Sequence, residues 1–139
     1  MKKAIRILAI VLIIASLSST AAFAATQSNA YISYYNAAAS SDGEGNVRID
    51  FGVRGTDIMA TIGASMVSIY KEDGMLVAVF YSANELYAAD MLGSNRMTFY
   101  GHVIYEGTPG QAYYAIVTVY ASDGVGSGTE NYLTNTVVA

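Results

Sequence analysis

From residue 30 onward, apolar and polar side chains come in short runs with a period of two. The clearest run is Val47, Ile49, Phe51 and Val53, alternating with Arg48, Asp50, Gly52 and Arg54. A period of two sends successive side chains to opposite faces of a strand. This segment therefore predicts a strand with one buried and one solvated face. The same pattern predicts strands over 30–38, 63–71, 75–81, 96–105, 112–121 and 129–138. Turn-forming clusters separate them: Ser40 to Asn46, Glu72-Asp73-Gly74, Glu106 to Gly110 and Ser122 to Gly128. Asp73-Gly74 between two apolar runs predicts a hairpin, because both residues tolerate positive φ. Residues 82–93 differ. They hold good helix formers and a candidate cap at Ser82 or Asn84, and they predict a loop with a short helical turn crossing between sheets.

Strands interrupted by turns roughly every 8 to 12 residues predict an antiparallel β-sandwich. There is no internal repeat and no low-complexity linker, so residues 25–139 read as one domain.

The first 24 residues follow a different pattern. Lys2, Lys3 and Arg6 precede an apolar run from Ile7 to Leu17, and Ala22-Phe23-Ala24 supplies small residues two apart. A run of that length is short for about 30 Å of hydrocarbon. The combination predicts a cleavable secretory signal peptide over 1–24, with the mature chain beginning at or near Ala25. Without it the balance of charge changes. All 11 acidic residues but only four basic ones (Arg48, Arg54, Lys71 and Arg96) lie beyond residue 24, a formal −7 against −4 for the whole chain. Such a surface repels nucleic acid and anionic membranes. The chain has no Cys, which excludes disulfides, thiol chemistry and Cys-based zinc sites, so the core alone must hold the fold.

The stretch Pro109-Gly110-Gln111-Ala112-Tyr113-Tyr114-Ala115-Ile116-Val117 has the form Pro-Gly-x-x-Tyr-x-Ala-x-Val. It resembles the start of strand F in fibronectin type III and other immunoglobulin-like domains. The resemblance implies a seven-stranded immunoglobulin-like β-sandwich. It also implies a structural role for Tyr113 as a tyrosine corner, its hydroxyl bonded to backbone a few residues upstream. The antibody-type Cys pair and core Trp are absent. The chain as a whole, from its signal peptide through Phe51-Gly52-Val53 and Ile62-Gly63-Ala64-Ser65 to Tyr113-Tyr114-Ala115, also resembles small secreted proteins of Gram-positive bacteria from families of unknown function.

Candidate chemistry is sparse. His102 is the only histidine, and no Gly-x-Ser-x-Gly elbow accompanies it. The pattern therefore supports neither a Ser-His-Asp apparatus nor a His-based metal site. Asp42-Gly43-Glu44-Gly45-Asn46 resembles the start of a calcium loop, but Val53 stands where the twelfth-position Glu belongs, so an acidic turn is expected. Asp50, Asp57, Glu85, Asp90, Glu106 and Glu130 read as solvated acids rather than a glycosidase pair.

Tyrosine is the anomaly: 12 Tyr against 4 Phe and no Trp. Tyr suits strands and recognition surfaces alike. With Tyr113, Val117 and Val119 facing the core, Tyr114, Ile116 and Tyr120 face outward and form the candidate ligand-binding set. Either a second layer covers them, from segment 82–93 or the N-terminal strand, or they meet a partner. The expectation is a secreted, non-enzymatic binding module without cofactor or metal. Its partner would be an extracellular protein, peptide or glycan, and neither nucleic acid nor membrane. The alternative is a structural surface protein that self-associates by pairing edge strands 129–138 or 30–38.

Overall fold

The computed structural model describes residues 29–139. The signal peptide read over 1–24 lies outside the described residues. The described chain is all-β and antiparallel apart from one short helix. In order it forms β1 (Ile32–Ser41), β2 (Asn46–Lys71), β3 (Leu76–Tyr81), α1 (Ala88–Met91), β4 (Leu92–Glu106), β5 (Ala112–Ser122), β6 (Ser127–Leu133) and β7 (Val137–Val138).

The architecture turns on β2. The strands expected over 47–54 and 63–71 are one strand of 26 residues. Its first half pairs with β1 (Ala37 opposite Phe51) and with β4 (Phe51 opposite Gly101). Its second half pairs with β3 (Val67 opposite Phe80) and with β5 (Val67 opposite Val117). In the middle, Ile62 pairs with Gly93 of β4 on one side and Ala121 of β5 on the other. The expected sandwich of two separate sheets is therefore one seven-stranded sheet, curled so that its two halves enclose the core. The reason lies in two irregularities. The register of β2 slips against β4 between Arg54 and Met59, and against β5 between Ala64 and Met66. A bulge bends a strand while its pairing continues on either side. The inward parity also changes along the strand: Val47, Ile49, Phe51, Val53 and, past the first slip, Met59 are buried, then Ile62 and Ala64, then, past the second slip, Val67 and Ile69. The period-two signal lapses there, although the strand does not.

Gly63 lies at this bend with φ +152°, and a Cβ on it would collide with the Met91 carbonyl oxygen. Only glycine lets the end of α1 approach β2 so closely. The core is aliphatic and aromatic, from Val47, Ile49, Phe51 and Val53 across to Val67, Ile69, Val117 and Val119.

The last expected strand, 129–138, is split into β6 and β7. Thr134 between them is buried, and its Oγ1 accepts the Ala115 N–H at 2.9 Å while donating to the Asn135 carbonyl. The Thr134 N–H still donates to the Ala115 carbonyl, and its hydroxyl supplies the return bond of the ladder. The next residue, Asn135, closes on β1: its amide oxygen accepts the Ala39 N–H and its NH2 donates to the Ala39 carbonyl, at 2.9 and 3.0 Å. On the same seam the Tyr35 and Tyr132 rings meet edge to face, 6.1 Å apart.

Candidate binding face

Strand β5 alternates without a fault. Tyr113, Ala115, Val117, Val119 and Ala121 are buried, and Tyr114, Ile116, Thr118 and Tyr120 between them are half-buried. Two residues of rise per pleat sends the second set to the outer face. The three candidate residues thus share one side of one strand, and their neighbours come from two other strands, β2 and β6. Tyr114 lies opposite Tyr70 and stacks on it, with ring centroids 5.3 Å apart and planes 12° from parallel. Ile116 lies between Ser68 of β2 and Leu133 of β6. Tyr120 lies between Gly63 and Thr129. Farther out, Leu76, Val79 and Tyr81 of β3 stand opposite Tyr70, Ser68 and Met66. Leu133, Tyr81 and Leu76 are each more than half exposed.

This outer face carries no charged side chain on β3, on residues 66–70 of β2, on β5 or on β6 from Asn131 to Leu133. Its half-burial comes from neighbours in the same sheet. Neither expected cover reaches it. The crossing segment packs on the inner side instead: the Asp90 carbonyl rests on Gly101 beside the Phe51 ring, and Phe80 meets Tyr87 edge to face at 4.9 Å. β1 lies across the core, where its Tyr35 meets Tyr132. The sequence pointed to the β5 row alone. Tyr70, Met66, Val79, Tyr81 and Leu133 were missed because cross-strand register, which local pattern does not encode, assembles them.

Tyr113 is 1% exposed, and its hydroxyl accepts the Thr108 N–H at 2.9 Å, five residues upstream. Gly107 lies against its ring, where a Cβ would come within 2.8 Å. The Glu106–Gly110 turn is thus folded over the ring, and Tyr105 meets the ring from the side, 5.4 Å away.

The remaining candidates separate. His102 stands on β4 opposite Asp50, half-buried on the open outer face of the other half-sheet. Asp50 is engaged by Arg48, whose Nε donates to both carboxylate oxygens at 2.9 and 3.1 Å. Asp42 spends both of its oxygens inside its own turn: Oδ1 accepts the Glu44 and Asn46 N–H groups, and Oδ2 accepts the Asn46 side-chain amide. Those bonds, the Asn46 side-chain amide first, hold the Asp42 carboxyl below its ordinary pKa. Asp57, Glu85, Asp90 and Glu106 are exposed on different elements. No cluster of three His, Cys, Asp or Glu placed to hold a metal occurs among the described residues.

No protein-family model matches the chain, and no curated protein matches it. Among solved structures it is similar to the ApaA protein from Bordetella pertussis, at 9% identity over 76% of this chain and 89% of that one, with a TM-score of 0.40.

Proposed function

We propose that this chain is an exported, non-enzymatic interaction module. It takes an extracellular protein or peptide against the outer face of β3, the second half of β2, β5 and β6. One observation carries the reading: that face is built mainly from apolar side chains of four strands, with uncharged Ser68, Thr118, Thr129 and Asn131 among them, bears no charge, and is left open by every described segment. In a chain with 11 acidic residues, a broad face free of them marks a place where a partner replaces water. Tyr114 and Tyr120 supply large, stiff contact area at low entropic cost, and Leu133 and Tyr81 stand at its rim. His102 on an open sheet face, and acids spread over several elements, support a binding rather than a catalytic role. The module needs no cofactor or metal in this reading and has no use for nucleic acid. In this reading the chain is kin to small secreted immunoglobulin-like proteins of Gram-positive bacteria, and the Tyr113 bond to Thr108 is the contact that the tyrosine-corner part of that resemblance implies.

Panning a random peptide library displayed on phage tests this. The wild-type protein should enrich uncharged aliphatic and aromatic sequences, and the Tyr81→Ser, Leu133→Ser double variant should bind them at least about tenfold more weakly. Both residues are exposed, so the variant should melt with the wild type. No enrichment, or equal binding by the variant, would sink the proposal.

A second reading is self-assembly through a strand edge, and one observation moves it. Edges 30–38 and 129–138 are engaged by side chains, Asn135 on Ala39 and Asn29 on the Thr129 carbonyl. β3, like β1, pairs with β2 alone and carries no charge or Pro in its sequence LVAVFY, but among the side-chain hydrogen bonds of the described residues none caps its other edge as Asn135 caps β1. Sedimentation velocity separates the readings: species growing with concentration favour the β3 edge, and a monomer throughout favours a foreign partner.

A further inference from the structure

The outer face of the other half-sheet is a different surface. Across it, Asn36 of β1 and Tyr100 of β4 flank Gly52 of β2. A Cβ on Gly52 would come within 2.9 Å of both Asn36 Oδ1 and Tyr100 Cε1. The amide and the ring lean over the glycine, which forms the floor of a depression. Two depressions, of about 790 and 440 Å³, share Tyr34, Gly52 and Tyr100 and so form one open trough along the strands. Tyr34 and Tyr100 are the two most exposed tyrosines described, at 60% and 79%.

Arg54 stands at one end, opposite Tyr34 on β1 and Thr98 on β4, exposed and lining the trough. The one ion pair among the described residues is Arg48 with Asp50, at the far end. Every acidic residue of the chain lies within the described residues, so the Arg54 guanidinium has no carboxylate partner of its own. The main-chain N–H and C=O groups of the floor are used in the β1–β2–β4 ladder. Recognition here must come from side chains: two ring faces, the Asn36 amide, the Thr56 and Thr98 hydroxyls and the unpaired Arg54 guanidinium, with the Asp50 carboxylate, held by Arg48, at the opposite end.

A pyranose fits that set. Its C–H face is apolar and stacks on a tyrosine ring, while its rim of hydroxyls seeks amide and hydroxyl partners. A guanidinium pairs bidentately with a carboxylate. An acidic peptide could pair with Arg54 but has no flat C–H face to lay on the two rings. We propose that this trough binds a short oligosaccharide containing uronic acid. The sugar rings lie on Tyr34 and Tyr100, and one carboxylate is held by Arg54. The acidic surface elsewhere repels a long polyanion and restricts the ligand to the few residues that the trough covers.

Isothermal titration with tetragalacturonate, with its methyl ester and with tetraglutamate tests the site. The protein should bind tetragalacturonate saturably, and the methyl ester and tetraglutamate each at least about tenfold more weakly. Arg54→Gln should abolish the preference for the free acid over the ester. Tyr34→Ala should weaken both sugars at least about tenfold. Tyr100 stays untouched, because its ring packs on Gly52. Both altered residues are exposed, and unchanged thermal melts would show that the variants are folded. The proposal is overturned if no saturation appears by about 10 mM tetragalacturonate. It is equally overturned if tetraglutamate binds as well as the sugar, or if folded Arg54→Gln keeps the acid preference.

Discussion

Tyr113 joins two functions in one side chain. Its ring fills the core beneath the Glu106–Gly110 turn, and its hydroxyl accepts the Thr108 N–H of that turn in a partly buried bond. Losing such an acceptor costs the desolvation of the donor left behind. Tyr113→Phe should therefore destabilise the protein by about 1 kcal/mol or more, with the ring still in place. Tyr114→Phe, next along the chain, keeps its stacking on Tyr70 and should be close to neutral. Paired urea melts of the two variants check this, and a neutral Tyr113→Phe would remove the support for the immunoglobulin-like resemblance. Thr134 shows the same economy at a place where the sequence offered no signal: one hydroxyl serves Ala115 and Asn135 at once.

At the scale of the element, β2 shows how far alternation can be read. Over Val47 to Val53 every second residue is buried, as the pattern required. Phe51 is 3% exposed and packs near Phe99, ring centroids 6.3 Å apart. Phe51→Ala should cost about 3–5 kcal/mol, by lost transfer energy and the cavity left behind. Arg48→Ala on the opposite face removes only an exposed ion pair and should change stability by less than about 0.5 kcal/mol. Chemical denaturation of both variants measures the difference, and equal effects would mean that the buried face has been misassigned. Between Arg54 and Gly63 the same strand was invisible, because irregular pairing there interrupts the alternation that makes a strand legible.

For the whole molecule, stability should be confined between two pH limits. The Asp123 carboxyl is held below its ordinary pKa by the Gly126 and then the Val125 N–H groups, as Asp42 is by its own turn. A depressed carboxyl contributes stability above its unfolded pKa, about 3.9, and loses it as pH falls through the folded value. Tyr35 is pushed up, by burial first and then by Glu130 beside it, and Tyr105 by burial and then by Tyr113. A raised phenol contributes stability below about pH 10 and loses it as pH rises further. The urea midpoint should thus be flat through neutral pH and fall on both sides. The fall on the acid side should be modest, because both aspartates are exposed to solvent. A midpoint that rises on acidification would show that these turns do not prefer the charged carboxyl. The two outer sheet faces divide the same way: one is uncharged and apolar, the other a trough with Arg54 at its end.

Local chemistry was enough to determine the all-β character and most strand segments, the turns at Asp42, Asp73 and Asp123, and the inward parity of β5. It also singled out Tyr113. Each of these depends on residues close together in the chain. Tertiary structure decided that residues 46–71 form one bent strand, because the bend is written in register slips against partners far away in sequence. It decided that segment 82–93 packs inside the curl, where Gly63 and Gly101 admit its backbone. It also decided the company each tyrosine keeps: Tyr70 beside Tyr114, and Tyr34 and Tyr100 around Gly52. A strand's own pattern states which face a side chain takes, and only pairing states what stands next to it.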